Sequence, residues 1–359
     1  MIKFVQEHIA DLEAFALMSQ TAGARNDYVQ GGGGNTSVKL SGGLMAIKAS
    51  GYCLSDITPE KAYAVLDCAA LSAFYRESDP KALEDVEKQG SARAKENTLA
   101  VEGLAAVRPS VEAGFHSILK KFVCHTHSVY ANLAACSDAC REIAAKAFDG
   151  ADYSWGWVPY TDPGANLTFA IRDELARVEK ETGRQPAVIL MQNHGIIAHD
   201  DDAKTCLAIH ADANERLARA FGVTGDSFPK VSVKETDSGI FTAECDYLKG
   251  ALRSGRYDYS GFIEKPLYPD QMVFLIGTLY ENKPALEDGE ASIDLAAGTL
   301  TMRMNAKKAR VIAETLTCVV FIMDTIRTNG LTVSTMGEAA KRFIANWESE
   351  KYRRSLAGK

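Results

Sequence analysis

The chain has 359 residues, enough for one large domain or two ordinary ones. A net charge of −7 and an isoelectric point near 5.6 exclude a general nucleic-acid surface, which needs a basic face, but leave room for a local basic pocket. There is no apolar run of bilayer length, the window 317–323 being too short, and Glu7, Asp11 and Glu13 break up any signal-peptide core.

Along the chain, Phe4, Val5, Ile9, Leu12, Phe15, Ala16 and Met18 recur at helical spacing and predict a helix over 4–22. Gly31 to Gly34 follow. Each glycine loses more backbone freedom on folding than any other residue, so the run is either a slack linker or a loop that something must approach closely. NTSVKL, a turn at Ser41-Gly42-Gly43 and LMAIKAS predict a β-hairpin. Residues 76–98 are charged without apolar rhythm, a surface helix or a mobile insertion. In RPSVEAGFHSILKKF, Pro109 and Ser110 mark a helix entry, with Ser110 as N-cap and Glu112 in the first turn. FVCHTH reads as a short strand, AVILMQNHG as a buried strand with a polar tip, and AKTCLAIHADANERLARAFG as an amphipathic helix. VTGDSFPKVSVKETDSG is polar and turn-rich, a linker or boundary. Strand candidates QMVFLIG and TLTMRM come next, then a long helix near 306–327 and a charged amphipathic helix over 337–354. Hairpins and helices are mixed, so the expected class is α/β of the mixed α+β kind, divided into 1–225 and 226–359.

The eight cysteines form no Cys-x-x-Cys pair and read as reduced thiols, several of them buried, of a cytoplasmic protein. Among the seven histidines, His125 and His127 share a strand, where residues i and i+2 face the same way and can reach one ion. His194, on a strand tip before Gly195, is the best third ligand. Three neutral imidazoles suit zinc and leave a coordination position open. The competing reading is ordinary packed histidines. His8, His116, His199 and His210 have weaker claims: His199, beside three aspartates, reads as part of a solvated turn, and His116 and His210 as packed or supporting groups on helices. Glu112 is the carboxylate to watch, because a helix first turn favours its charge.

Together these segments resemble the class II aldolase/adducin family, of the fuculose- and rhamnulose-1-phosphate aldolase type. Gly34-Asn35-Thr36-Ser37-Val38-Lys39 is similar to that family's Gly-Asn-x-Ser-x-Arg loop, with Lys for Arg. Ala49-Ser50-Gly51 resembles its turn after the hairpin, and Pro109-Ser110-Val111-Glu112 its Pro-Ser-Ser-Glu motif. His125-Thr126-His127 and Asn193-His194-Gly195 match its histidine motifs in order. The likeness covers roughly residues 5–225. Further on, Tyr268-Pro269-Asp270, the helix from Asn305 to Arg327, Trp347-Glu348 and Arg353-Arg354 resemble the aldolase half of bifunctional rhamnulose-phosphate aldolase/lactaldehyde dehydrogenases.

The resemblance implies a three-layer α/β/α fold around a mostly antiparallel sheet, with a smaller C-terminal α/β subdomain that packs at a subunit contact. It implies zinc or another divalent ion on His125, His127 and His194, Glu112 as general base, and a catalytic tyrosine at Tyr153 or Tyr160. A substrate phosphate would lie on Gly34, Asn35, Ser50, Gly51 and Ser110, with Lys39 adding charge or facing solvent. The implied activity is reversible cleavage of a ketose 1-phosphate to dihydroxyacetone phosphate and an aldehyde such as lactaldehyde, through an enediolate stabilised by the metal, in a homo-oligomer; the charge and the lack of a long apolar run argue against nucleic acid and membrane as partners. Val111 stands where the family has a second serine, which keeps a non-phosphorylated or carboxylate-bearing substrate open, for an aldolase or a decarboxylase. A sugar-phosphate 4-epimerase is the other enzymatic alternative, disfavoured by Glu112 where those enzymes carry Asp. A non-catalytic adducin-like scaffold is disfavoured by the three histidines.

Overall fold

The hairpin written in NTSVKL and LMAIK seeds the larger of two sheets. In the computed structural model, which describes residues 2–346, β1 (Asn35–Leu40) and β2 (Leu44–Lys48) pair antiparallel with Ser37 opposite Ile47. Gly42 and Gly43 make the turn at φ of 74° and 76°, backbone that glycine adopts without steric cost. β3 (Tyr63–Asp67) and β4 (Thr98–Leu99) continue the sheet beyond β2. On the other side of β1 lie β5 (Phe122–Thr126), then, from the later chain, β6 (Trp155–Val158), β7 (Val188–Met191) and β8 (Gly195–Asp200). The spatial order is β4-β3-β2-β1-β5-β8-β7-β6, antiparallel except for β6 against β7.

Alternation sends side chains to two helical layers. Met45, Ile47, Leu66, Val123, Ile189 and Ile197 meet the helices Cys68–Glu77, Ala113–Ile118 and Ala165–Thr182. Val38, Ala46, Val65, Cys124 and Ala198 meet Ile9–Gly23 and Ala203–Ala220. The sheet is thus buried on both faces, the three-layer arrangement that the resemblance implies. This is also why AVILM reads as an unbroken apolar run.

The second sheet holds β9 (Ser232–Asp237), β10 (Ile240–Glu244), β11 (Leu279–Glu281), β12 (Glu290–Asp294) and β13 (Thr299–Arg303), in the order β11-β12-β13-β10-β9. It packs on the Ala306–Thr328 helix, whose Leu316, Val319, Val320, Ile322 and Ile326 are fully buried, each contributing roughly 1.5–3 kcal/mol. The same apolar cluster takes in Leu133, Leu190 and Leu217 of the first region. Among the described residues no helix is long and apolar enough to cross a membrane.

Several expectations are corrected. The N-terminal helix is interrupted at His8, giving Lys3–Glu7 and Ile9–Gly23. Of the two readings of residues 76–98, the surface helix is the one found, at Val86–Glu96. The helix after Pro109 begins only at Ala113, with Glu112 at its N-cap position; Ser110 Oγ instead accepts from Glu112 N at 3.3 Å, one turn earlier. The polar stretch after 225 includes an edge strand, β9, whose residues are mostly exposed. QMVFLIG does not make a strand, because Pro269 at the first helical position starts the helix Pro269–Phe274. His199 is buried in β8, not in a solvated turn. Lys39 takes neither expected role: its ammonium caps the carbonyls of Leu119 and Lys120, and burial pushes its pKa down to about 8. The final helix is described as Glu338–Asn346, while Trp347, Glu348, Arg353 and Arg354 lie outside the described residues.

Candidate active site

The β1–β5 register sets Asn35 directly across from His125. His127 follows two residues on, and β8 delivers His194 from the tip that precedes Gly195. That tip is tightly made. Asn193 sits at φ 51°, its side-chain amide donating to Leu267 O at 2.8 Å and Ser334 O at 3.0 Å, and an added Cβ on Gly195 would overlap Thr126 O. The three imidazoles form a near-equilateral cluster with centroids 4.9, 5.1 and 5.1 Å apart, each ring buried.

Hydrogen bonds decide which nitrogens face inward. His125 Nδ1 donates to Ile196 O at 3.0 Å, and His127 Nδ1 donates to Asp270 Oδ2 at 2.6 Å. Both Nε2 atoms are left as lone pairs, 3.1 Å apart. Two bare nitrogens so placed repel each other unless a cation lies between them. Burial holds the His125 imidazole well below its ordinary pKa, so it is neutral, as a ligand must be. The ligand atoms of all three histidines lie within 4.8 Å of one another. The donor set therefore fits a divalent ion with a position left open.

Glu112 is the acid of the site. Its Oε2 lies 3.5 Å from His125 Nε2 and its Oε1 3.2 Å from His194 Nε2. Burial opposes its charge, but His125, His194 and His127 favour it, and the balance holds the carboxyl well below the ordinary carboxylate range. A relay aims it. Ser37 Oγ donates to His116 Nδ1 at 2.7 Å, His116 Nε2 donates to Asn35 Oδ1, and Asn35 Nδ2 donates to Glu112 Oε2 at 2.7 Å. Burial drops the His116 pKa to about 3, so this ring carries a single proton and fixes the direction of the relay. Among the described residues, Glu112 Oε1 and His194 Nδ1 are buried without a hydrogen-bond partner, polar capacity that a ligand could meet.

The expected anion-binding residues converge beside Glu112. Asn35 Nδ2 also reaches Ser110 Oγ at 3.1 Å. Ala49 bridges Pro109, Ser110 N donates to Lys48 O, and Ser50 N donates to Arg108 O, so the Ser50-Gly51 turn and Ser110 are neighbours. Gly34 sits at φ 63°, and a Cβ there would lie 2.6 Å from His125 O. Its absence lets the glycine loop touch the histidine strand. The tyrosines are placed differently. Tyr153 OH donates to Asp212 Oδ2 at 2.7 Å, and Tyr160 OH to Asp162 Oδ1 at 3.2 Å, Tyr160 being packed against the small apolar cluster that holds Met272 and Met336.

Two groups at the site were given no role in the sequence reading. Lys48 is buried and its ammonium donates to Gly32 O at 3.1 Å; a lone charge in the apolar stretch LMAIKAS was the available signal. Asp270, on His127, was named only within the Tyr268-Pro269-Asp270 likeness, with nothing to tie it to the histidines.

The family model of the class II aldolase and adducin N-terminal domain matches residues 13–221, more than half of the chain. No curated protein matches. Solved structures similar to the chain include the N-terminal class II aldolase domain of a conserved protein from Thermoplasma acidophilum, 22% identical with a TM-score of 0.48, covering 58% of this chain and 92% of that one. Others are an L-fuculose-1-phosphate aldolase from Thermus thermophilus (18%, TM-score 0.34, 58% and 93%) and a sugar-phosphate aldolase from Thermotoga maritima (16%, TM-score 0.38, 58% and 95%). By the match over residues 13–221, the chain belongs to the class II aldolase and adducin family.

Proposed function

We propose that this protein is a metal-dependent aldolase that cleaves, and in reverse forms, a carbon–carbon bond next to the carbonyl of a small ketose phosphate. The observation that carries the reading is the buried triad of His125, His127 and His194 with the Glu112 carboxylate 3.2–3.5 Å from two of its rings. A divalent ion there, zinc by donor type, supplies a Lewis acid for the charge that develops at the carbonyl oxygen. Glu112, kept ionised and aimed by Asn35, takes the proton from the substrate hydroxyl in cleavage and from the carbon in condensation. The buried Lys48 ammonium and the N–H groups of the glycine loop, with Ser50, Gly51 and Ser110, favour an anionic group on the substrate. In this division residues 1–225 are the catalytic unit and 226–359 an extension of it.

Val111 in place of a second serine supports a second reading, in which the substrate carries no phosphate. One experiment separates them. The purified protein is assayed for bound metal, then incubated with dihydroxyacetone phosphate, or with dihydroxyacetone, and a panel of short aldehydes. Metal uptake with condensation only from the phosphate ester is the expected result. Condensation from free dihydroxyacetone at equal rate moves the assignment to the second reading, and a protein that binds no metal refutes both.

A further inference from the structure

Asp270 lies outside the stretch that the family model matches, on a helix of the extension, yet it is 1% exposed and turned toward the histidines. Its Oδ2 accepts from His127 Nδ1 at 2.6 Å, while its Oδ1 is buried with no hydrogen-bond partner among the described residues. A buried carboxylate persists only where charge or hydrogen bonding compensates it. Here the hydrogen bond from His127 Nδ1–H supplies that compensation. The glycine loop is shaped to the same carboxylate: a Cβ on Gly33 would overlap Asp270 Oδ2, and one on Gly31 would lie 2.8 Å from Val311 of the long extension helix. Three residues before Asp270, Leu267 O accepts from Asn193, the residue that sets up His194. The segment 267–270 thus touches the supports of two of the three histidines.

We propose that Asp270 is a positioning residue for the metal centre: by accepting from His127 Nδ1–H it fixes the tautomer and ring plane that present Nε2 inward, and it makes that nitrogen a stronger donor. This rests on the metal reading given above. A carboxylate bound to the far nitrogen of a ligating imidazole orients the ring and raises its basicity, and its loss typically weakens metal binding. The extension is therefore a working part of the centre. The glycine run serves it as well, because Gly33 leaves the space that the carboxylate fills.

The test uses the full chain, with Asp270→Ala, Asp270→Asn and Gly33→Ala. Zinc affinity is measured by chelator competition, and the visible spectrum is recorded with Co2+. Asp270→Ala should lose roughly 10–100-fold in zinc affinity. Asp270→Asn should lose less, since its amide oxygen still accepts from Nδ1–H. Gly33→Ala, which displaces the carboxylate without removing it, should move in the same direction. Co2+ band intensities should match those of the unaltered protein, because the ligand set is unchanged. Equal zinc affinity in Asp270→Ala or in Gly33→Ala overturns the proposal, and so does a Co2+ spectrum showing a lost ligand, which would make Asp270 a direct ligand. If Asp270→Ala does not fold, the other two variants decide. A parent protein that binds no metal refutes the metal reading itself, an outcome distinct from parent and variants binding alike.

Discussion

The two sheets treat their residues differently. The eight-stranded sheet is covered by helices on both faces, so polar groups inside it, such as Asn35, Ser37, His125 and Thr126, must all be matched by partners. The five-stranded sheet is covered on one side, and β9 at its edge exposes most of its side chains to water. Chemistry sits in the first because a dry, fully packed sheet can hold rings at fixed distances. The second supplies apolar area through Leu300, Met302 and the helix behind them, and the later chain reaches the site through the segment around Asp270 and through Ser334. Rigidity and reactivity are therefore unequally shared by two regions that have one core in common.

The comparison can be broken at several points. The largest effect is expected for Glu112→Gln, which keeps the shape and removes the base: turnover should fall roughly 10²–10⁴-fold with metal content unchanged, and a variant with full turnover would remove Glu112 from the mechanism. In the second sheet, Met302→Ala should cost about 2–5 kcal/mol in urea unfolding while leaving turnover at 25 °C within a factor of about two. A large loss of turnover in folded protein would mean that the second sheet does more than pack. A smaller effect belongs to acid. His199 and His210 are fully buried, and burial lowers both to a pKa of about 3. The unfolded chain takes up these protons near its ordinary value of about 6.5, so stability is complete above that pH. As pH falls from there toward 3, it should decline by about 1.4 kcal/mol per unit for each ring. Urea midpoints at pH 7, 6 and 5 check this, and His199→Phe should show a shallower slope. The smallest effect is expected for Arg177→Ala: this exposed arginine pairs with Glu174 and Glu181 on a surface helix, and its loss should cost no more than about 1 kcal/mol.

Much of the first region was legible because its signals are local. A period of two puts His125 and His127 on one side, and a glycine after His194 marks a tip. The hairpin follows from NTSVKL and LMAIK around a glycine turn. The misreadings come from long-range context. His199 has three aspartates after it in sequence, but in space it lies across from Val123 of β5 and its ring accepts from Lys120 N at 3.4 Å. Lys39 alternates as a strand residue should, yet its ammonium finds the end of a helix 80 residues later. QMVFLIG has the composition of a strand, and the preceding proline outweighs it. Asp270 stands in the Tyr268-Pro269-Asp270 likeness, but its role could not be read, since it depends on a partner 143 residues away.

That separation also bears on when the site comes into being. At synthesis rates of about 5–20 residues per second, the 143 residues between His127 and Asp270 take roughly 7–30 s to follow. Asn193 waits across a similar gap for Ser334, 141 residues on. During that interval the strands bearing the histidines have left the ribosome, but neither the His127 ring nor the tip before His194 has its final partner. The final geometry of the histidine cluster is a late event in the life of each chain, reached only after residue 334 has been made.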